Sequence, residues 1–215
     1  MPIFVDHQLQ EQIPRDIFDF PIAFYCDELA DLPNRAGPMH WHPCFEIATA
    51  QNGVLDYQVG QTHTILEPGD SIFVNQNMLH GIRQVSGMEP DHLPIIIFSG
   101  TVIASENSVI YQKYIQPILS CDSLPCVVFR HDNGLWKDVR QRINATYRAM
   151  REQSDCYELV VQRNICYVLE AIFRNFDSLP KSEASRVQLN TQVRLQKMLS
   201  YIHENYARTV TLADI

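Results

Sequence analysis

GPMHWHPCFEIATAQNG, residues 37–53, sets His40 and His42 one residue apart and places Glu46 four positions later, ahead of a Gln51-Asn52-Gly53 turn. On an extended strand, positions i and i+2 share a face, and Glu46 keeps the parity of His40. A second strand must supply whatever completes such a cluster. EPGDSIFVNQNMLHG, residues 67–81, offers a tight turn at Pro68-Gly69-Asp70, a strand and then His80. Three imidazoles and a carboxylate (His40, His42, His80 and Glu46) are a donor set suited to a divalent transition metal such as Zn, Ni, Mn or Fe. The same four groups could equally line a pocket without a metal, with Glu46 bonded to nearby backbone or to Trp41.

Around this stretch the first hundred residues read as β-rich. IAFYC, CFEIATA, VLDYQVG, HTIL, SIFVN, GIRQV and PIIIF are short apolar or alternating runs, and NRAGP, QNG, VGQ, EPGD and SGMEPD separate them as turns. Many short strands joined by tight turns predict a sandwich or barrel, not a parallel α/β sheet. Tyr57 and Phe73 are candidates for an aromatic wall inside it, where a sugar or small apolar molecule would fit, although unplaced aromatics more often fill a core. Trp41, opposite in parity to both histidines, is expected to pack beneath the sheet or against the helices. His7, His63, His92 and His131 fall in turns or polar stretches and are expected at the surface.

Beyond residue 104 the period changes. SENSVIYQKYIQPILS (105–120) predicts a short helix with Ser105 as N-cap, and CVVFR (126–130) one more strand. Leu135, Val139, Ile143, Tyr147 and Met150 recur at helical spacing, as do Leu159, Val160, Ile165, Val168, Leu169, Ile172, Phe173 and Phe176. The short polar connection between these stripes predicts an antiparallel helix pair. The second stripe is wide enough to serve self-association, or to pack on the barrel. DSLPKSEASRVQLN then reads as a linker. After it Val193, Leu195, Met198, Leu199 and Ile202 mark a new helix, and Thr211 and Asp214 the capped start of another, so the chain is expected to stop within a longer protein.

At 215 residues, with 46% hydrophobic and 20% charged residues, the chain has the composition of an ordinary globular protein. No run of about 18 apolar residues predicts a membrane span, and the acidic N-terminus does not read as a signal peptide, so the cytoplasm is the expected compartment. The net charge of −8 argues against strong nucleic-acid binding by this segment. From Lys181 onward, five basic residues against three acidic give +2 and leave −10 for the rest. The six cysteines contain no C-x-x-C pair. Cys156 and Cys166 fall in apolar-patterned helix and are expected to be buried thiols.

HWHPCFEIATAQNG resembles the first cupin motif: H-x-H, three residues, glutamate, six residues, glycine. PGDSIFVNQNMLHG resembles the second, without the proline near position 75 and the trailing asparagine of cupin enzymes. MLSYIHENYARTVTLADI is similar to the first helix, and the start of the second, of the DNA-binding domain of AraC-type transcription regulators, in which a cupin-like effector domain precedes a helical pair and a linker. The resemblance implies an α+β fold with a cupin-like jelly roll, an antiparallel helix pair, a linker and the start of a helix-turn-helix domain. Residues 1–104 would be the effector-binding domain, 105–178 the helical dimerisation segment, 179–190 the linker and 191–215 the DNA-binding start.

The same resemblance implies a non-enzymatic homodimer that binds a small-molecule effector, such as a sugar, near His40, His42, Glu46, His80, Tyr57 and Phe73. Transcription would be activated or repressed through DNA contacts made by the full-length protein and not by this segment. The alternative is a metal-dependent cupin enzyme, a dioxygenase or isomerase, using His40, His42, Glu46 and His80 as its metal ligands.

Overall fold

The computed structural model describes residues 5–11, 20–29, 32–87 and 92–181, together with Thr191, Arg194, Lys197, Met198, Tyr201, Ile202, Asn205 and Thr211. Among the described residues nine strands build two sheets. These are β1 (Ile22–Glu28), β2 (Ala36–His40), β3 (Phe45–Thr49), β4 (Gly53–Val59), β5 (Thr62–Leu66), β6 (Ser71–Val74), β7 (His80–Gly87), β8 (His92–Phe98) and β9 (Cys126–Phe129). One sheet has the order β1-β8-β3-β6-β9, the other β2-β7-β4-β5, and all pairings are antiparallel. The chain passes repeatedly from sheet to sheet, as in a jelly roll.

The five-stranded sheet is buried on both faces, and its sequence shows why. Phe45, Ile47, Phe73, Ile96, Phe98, Val127 and Phe129 join the core that faces the helices. Their alternates Ala48, Ile72, Val74, Ile95 and Ile97 join the core between the two sheets. Strands apolar at every position, such as β6, suit such a middle layer. The four-stranded sheet turns its outer face to water: β5 exposes Thr62, His63 and Ile65 while burying Leu66.

Helices α2 (Lys137–Glu152) and α3 (Tyr157–Arg174) cover the outer face of the five-stranded sheet, as the two apolar stripes predict. Their connection turns through Gln153 and Cys156, both left-handed. Two stripe positions differ from expectation. Leu135 is 61% exposed while Trp136 is buried against Phe129, because residues 134–136 form a 3-10 turn ahead of α2. Leu159 is exposed and Val161 takes the buried place. The short helix starts at residue 109 with Ser108, not Ser105, accepting the Tyr111 N–H at 3.1 Å; it runs through a π-turn at Tyr111–Ile115 into α1 (Gln116–Leu119). Cys156 and Cys166 are exposed, not buried.

β9 pairs with β6 and completes the five-stranded sheet, so packing runs without a break across residue 104. The linker residues 182–190, the apolar positions Val193, Leu195 and Leu199, and Asp214 lie outside the described residues. Thr191, Arg194, Lys197, Met198, Tyr201, Ile202 and Asn205 are helical, and Asn205 Nδ2 donates to the Tyr201 carbonyl at 2.8 Å. Among the described residues no helix is long and apolar enough to cross a membrane.

Candidate functional site

The histidine pair does not lie on one strand. His40 ends β2, Trp41 makes an isolated bridge, a bend follows, and Glu46 sits on β3 in the other sheet. Shared strand parity therefore does not bring the groups together. His40 and Glu46 converge because their strands belong to facing sheets and both look into the barrel. In the NRAGP stretch, expected as a turn, Asn34 and Arg35 do lie in a 3-10 turn (Pro33–Arg35), but β2 takes up Ala36, Gly37 and Pro38. Pro38 is tolerated there because β2 is an edge strand, with a register shift between Gly37 and His40. Next to it, Gly81 lets β2 approach β7 closely: a Cβ at that position would come 2.8 Å from Met39 Sδ. His40 thus pairs directly with His80 across the ladder, their rings 4.3 Å apart.

His40, His42, Glu46 and His80 are 5%, 1%, 2% and 1% exposed, and one donor atom from each falls within 4.8 Å of all the others. Each imidazole is tethered through Nδ1 to a carbonyl two residues away: His40 to Pro38 at 2.8 Å, His42 to Cys44 at 3.1 Å, His80 to Met78 at 2.8 Å. A carbonyl only accepts, so Nδ1 carries the proton in all three and Nε2 points to the centre. His42 Nε2 and His80 Nε2 lie 3.2 and 3.3 Å from Glu46 Oε2, while Glu46 Oε1 accepts the Tyr57 hydroxyl.

Burial lowers the pKa of His40 from 6.5 to about 3 and also lowers that of His42, so both remain neutral. Burial acts in the same direction on His80, but the Glu46 carboxylate outweighs it and raises the pKa. For Glu46 burial alone would favour the acid; His80 and His42 instead hold the carboxyl well below its usual range. Burial and the same carboxylate keep Tyr57 a phenol. The centre therefore sets one carboxylate against three imidazoles, of which His80 has the highest proton affinity. Tethered Nε2 atoms with one carboxylate fit a divalent transition metal in donor type and number, and a bound cation would compete with protonation of His80.

Tyr57 joins this cluster, whereas Phe73 does not. Phe73 sits on the helix-facing side of β6, its ring 5.1 Å from Phe45, because its parity is opposite to that of Val74 and Ile72. Trp41 packs on the N-terminal segment, its Nε1 donating to the Gln8 carbonyl at 2.9 Å. His7, His63 and His131 are exposed, as expected, with His63 held by Asp56 and His131 by Asp70; the His92 side chain lies outside the described residues. Gln84, absent from the sequence expectations, follows His80 and Ile82 at period two into the barrel. It is 8% exposed, and among the described residues its amide nitrogen and oxygen have no hydrogen-bond partner. Asn75 stands near the motif's missing proline. Its Nδ2 donates to the Ile118 and Leu124 carbonyls at 2.8 and 3.2 Å, and its backbone N–H to Pro125, tying the β9 approach to β6.

Residues 30–90 match the model of the cupin domain family. The uncharacterized HTH-type transcriptional regulator YdeC of Bacillus subtilis is 22% identical over 212 residues, which span 98% of this chain and 70% of that protein. Among solved structures, apo ToxT from Vibrio cholerae superposes with a TM-score of 0.54 at 9% identity, covering 90% of this chain and 68% of that one, so the two share a fold. An RmlC-like cupin from Shewanella frigidimarina overlaps 37% of this chain and 68% of its own, at 19% identity and a TM-score of 0.31. Residues 30–90, which hold His40, His42, Glu46 and His80, thus match a cupin domain within a cupin-like barrel, and the chain resembles a helix-turn-helix transcription regulator along nearly its whole length.

Proposed function

We propose that the chain is the ligand-sensing and dimerisation portion of an AraC-type transcription regulator, cytoplasmic and not an enzyme. A small-molecule effector, of which a sugar is one candidate class, enters the barrel beside His40, His42, Glu46, His80 and Tyr57, with Gln84 as a further polar contact. A divalent transition metal held by the three imidazoles and Glu46 would supply a Lewis-acidic anchor for an oxygen of that effector. The observation that carries the reading is the similarity to YdeC over 98% of the chain, which takes in the helices and tail as well as the barrel. Effector binding would shift the balance between arrangements of the α2–α3 layer and so alter how the DNA-binding helices are presented.

A second reading, a metal-dependent cupin dioxygenase or isomerase, is favoured by one feature, the buried three-imidazole and carboxylate set itself. DNA binding separates the two. The full-length protein should retard DNA from its own upstream region in a gel-shift assay, with affinity falling steeply as salt rises, whereas residues 1–180 should not. Absence of DNA binding by the full-length protein at any salt concentration would leave the enzyme reading standing.

A further inference from the structure

A second carboxylate faces the histidine centre from an unexpected direction. Residues 5–11 fold back on themselves: Asp6 Oδ1 accepts the Gln8 and Gln10 N–H groups at 2.8 and 2.9 Å, Leu9 adopts a left-handed conformation, and Val5 bridges Glu11. This compact turn is laid along Trp41, the residue between the two histidines. Trp41 N–H donates to Leu9 at 3.0 Å, Glu11 N–H donates to Trp41 at 2.9 Å, and the indole donates to Gln8. The result carries the Glu11 carboxylate inward, where its side chain is only 10% exposed and Oε2 lies 3.9 Å from His40 Nε2.

We propose that Glu11 is a further cation-binding residue, which makes occupancy of the histidine centre and docking of residues 5–11 one event. The inference rests on the reading of His40, His42, Glu46 and His80 as a metal site. A divalent cation held by three neutral imidazoles and the Glu46 carboxylate carries a net charge of about +1 into a buried space, and uncompensated buried charge is strongly disfavoured. Glu11 removes that excess. The reverse also holds: the cation offsets the cost of holding the largely covered Glu11 carboxylate beside His40. The histidines and Glu46 come from the barrel, so Glu11 is the donor whose position depends on the chain's N-terminal segment.

The test uses Zn²⁺, followed by competition against a chelator of known affinity, and amide hydrogen exchange at Glu11 and Trp41. In the wild-type protein one equivalent should bind and both amides should slow on loading. Glu11→Gln, which keeps size and hydrogen-bonding capacity, should bind the same single equivalent at least tenfold more weakly, with little added protection. Asp6→Ala touches no donor but loosens the turn, and should weaken binding in the same direction. Wild-type protein that takes up no Zn²⁺ would overturn the underlying metal reading. Tight wild-type binding with Glu11→Gln and Asp6→Ala affinities within twofold would overturn the role of Glu11 alone.

Discussion

At the scale of single residues the site is governed by burial against charge. His40 is the sharpest case, since removal from water lowers its pKa from 6.5 to about 3 and it carries no proton in the fold. Between those values the unfolded chain binds a proton here that the folded chain does not. Its contribution to stability is therefore complete above pH 6.5 and is lost as pH falls towards 3. His42 and Glu46 shift in the same direction, and His80, raised by Glu46, offsets part of the effect. Metal-free protein should show a denaturant midpoint that drops between pH 7 and pH 5. His40→Asn, which retains a donor towards the Pro38 carbonyl, should flatten that slope; an unchanged slope would mean that His40 titrates normally. The residue types of the centre were legible in the sequence, because H-x-H, glutamate and a later histidine are a recognisable donor set. The Nδ1 tethers were not, since they depend on carbonyl directions fixed by the bend at residues 42–44 and by the turn before β7.

At the scale of elements, one buried carboxylate ties two segments. Asp70, in the Pro68-Gly69-Asp70 turn, accepts the Glu67 N–H at 3.0 Å, the His131 N–H at 2.6 Å, the His131 ring at 2.9 Å and Arg130 at 2.8 Å. These donors hold its carboxyl below the usual range although burial acts the other way. The turn between β5 and β6 is thereby clamped to the end of β9. Gly69, at φ +92° with its Cα hydrogen facing the His131 side chain, fits where a Cβ would be strained and crowded. Asp70→Ala removes the acceptor that these donors share and should destabilise the protein by about 3 kcal/mol in urea titration; a loss below about 1 kcal/mol would show that the clamp is not needed. The turn was readable from Pro-Gly-Asp, while its partners, sixty residues away, were not. The strands follow the same division. Runs such as PIIIF and SIFVN announced themselves by β-branched and aromatic content, whereas β2 was hidden by Gly37 and Pro38, which an edge strand accepts and a central one does not. The exchange of Leu135 for Trp136 likewise came from a 3-10 turn that shifts the helical phase by one residue.

At the scale of the whole molecule the barrel and the helices are joined through the strand that carries Glu46. Tyr147 on α2 hydrogen-bonds Thr49 at 2.9 Å and donates to the Ile47 carbonyl at 3.3 Å, and Thr49 in turn bonds Ser71 at 2.7 Å. β3 thus presents Glu46 to the barrel and Phe45 and Ile47 to the helical core. A change at the centre has a direct packed route to α2 and α3. Sequence periodicity gave the order of layers, barrel then helix pair, because amphipathic stripes and alternating strands report which face each element buries. It misassigned Phe73, because β6 is apolar on both faces and nothing local says which face meets the barrel. In the proposed function the histidine–glutamate centre senses a ligand on behalf of a DNA-binding domain of the full-length protein. The most direct measurement is fluorescence anisotropy of the full-length protein on DNA from its own upstream region, with and without Zn²⁺, for wild type and Glu46→Gln. Zn²⁺ should change wild-type DNA affinity by about fivefold or more, in the range of ordinary allosteric coupling, and leave the variant unmoved. Equal responses in the two proteins, or none in either, would contradict that role.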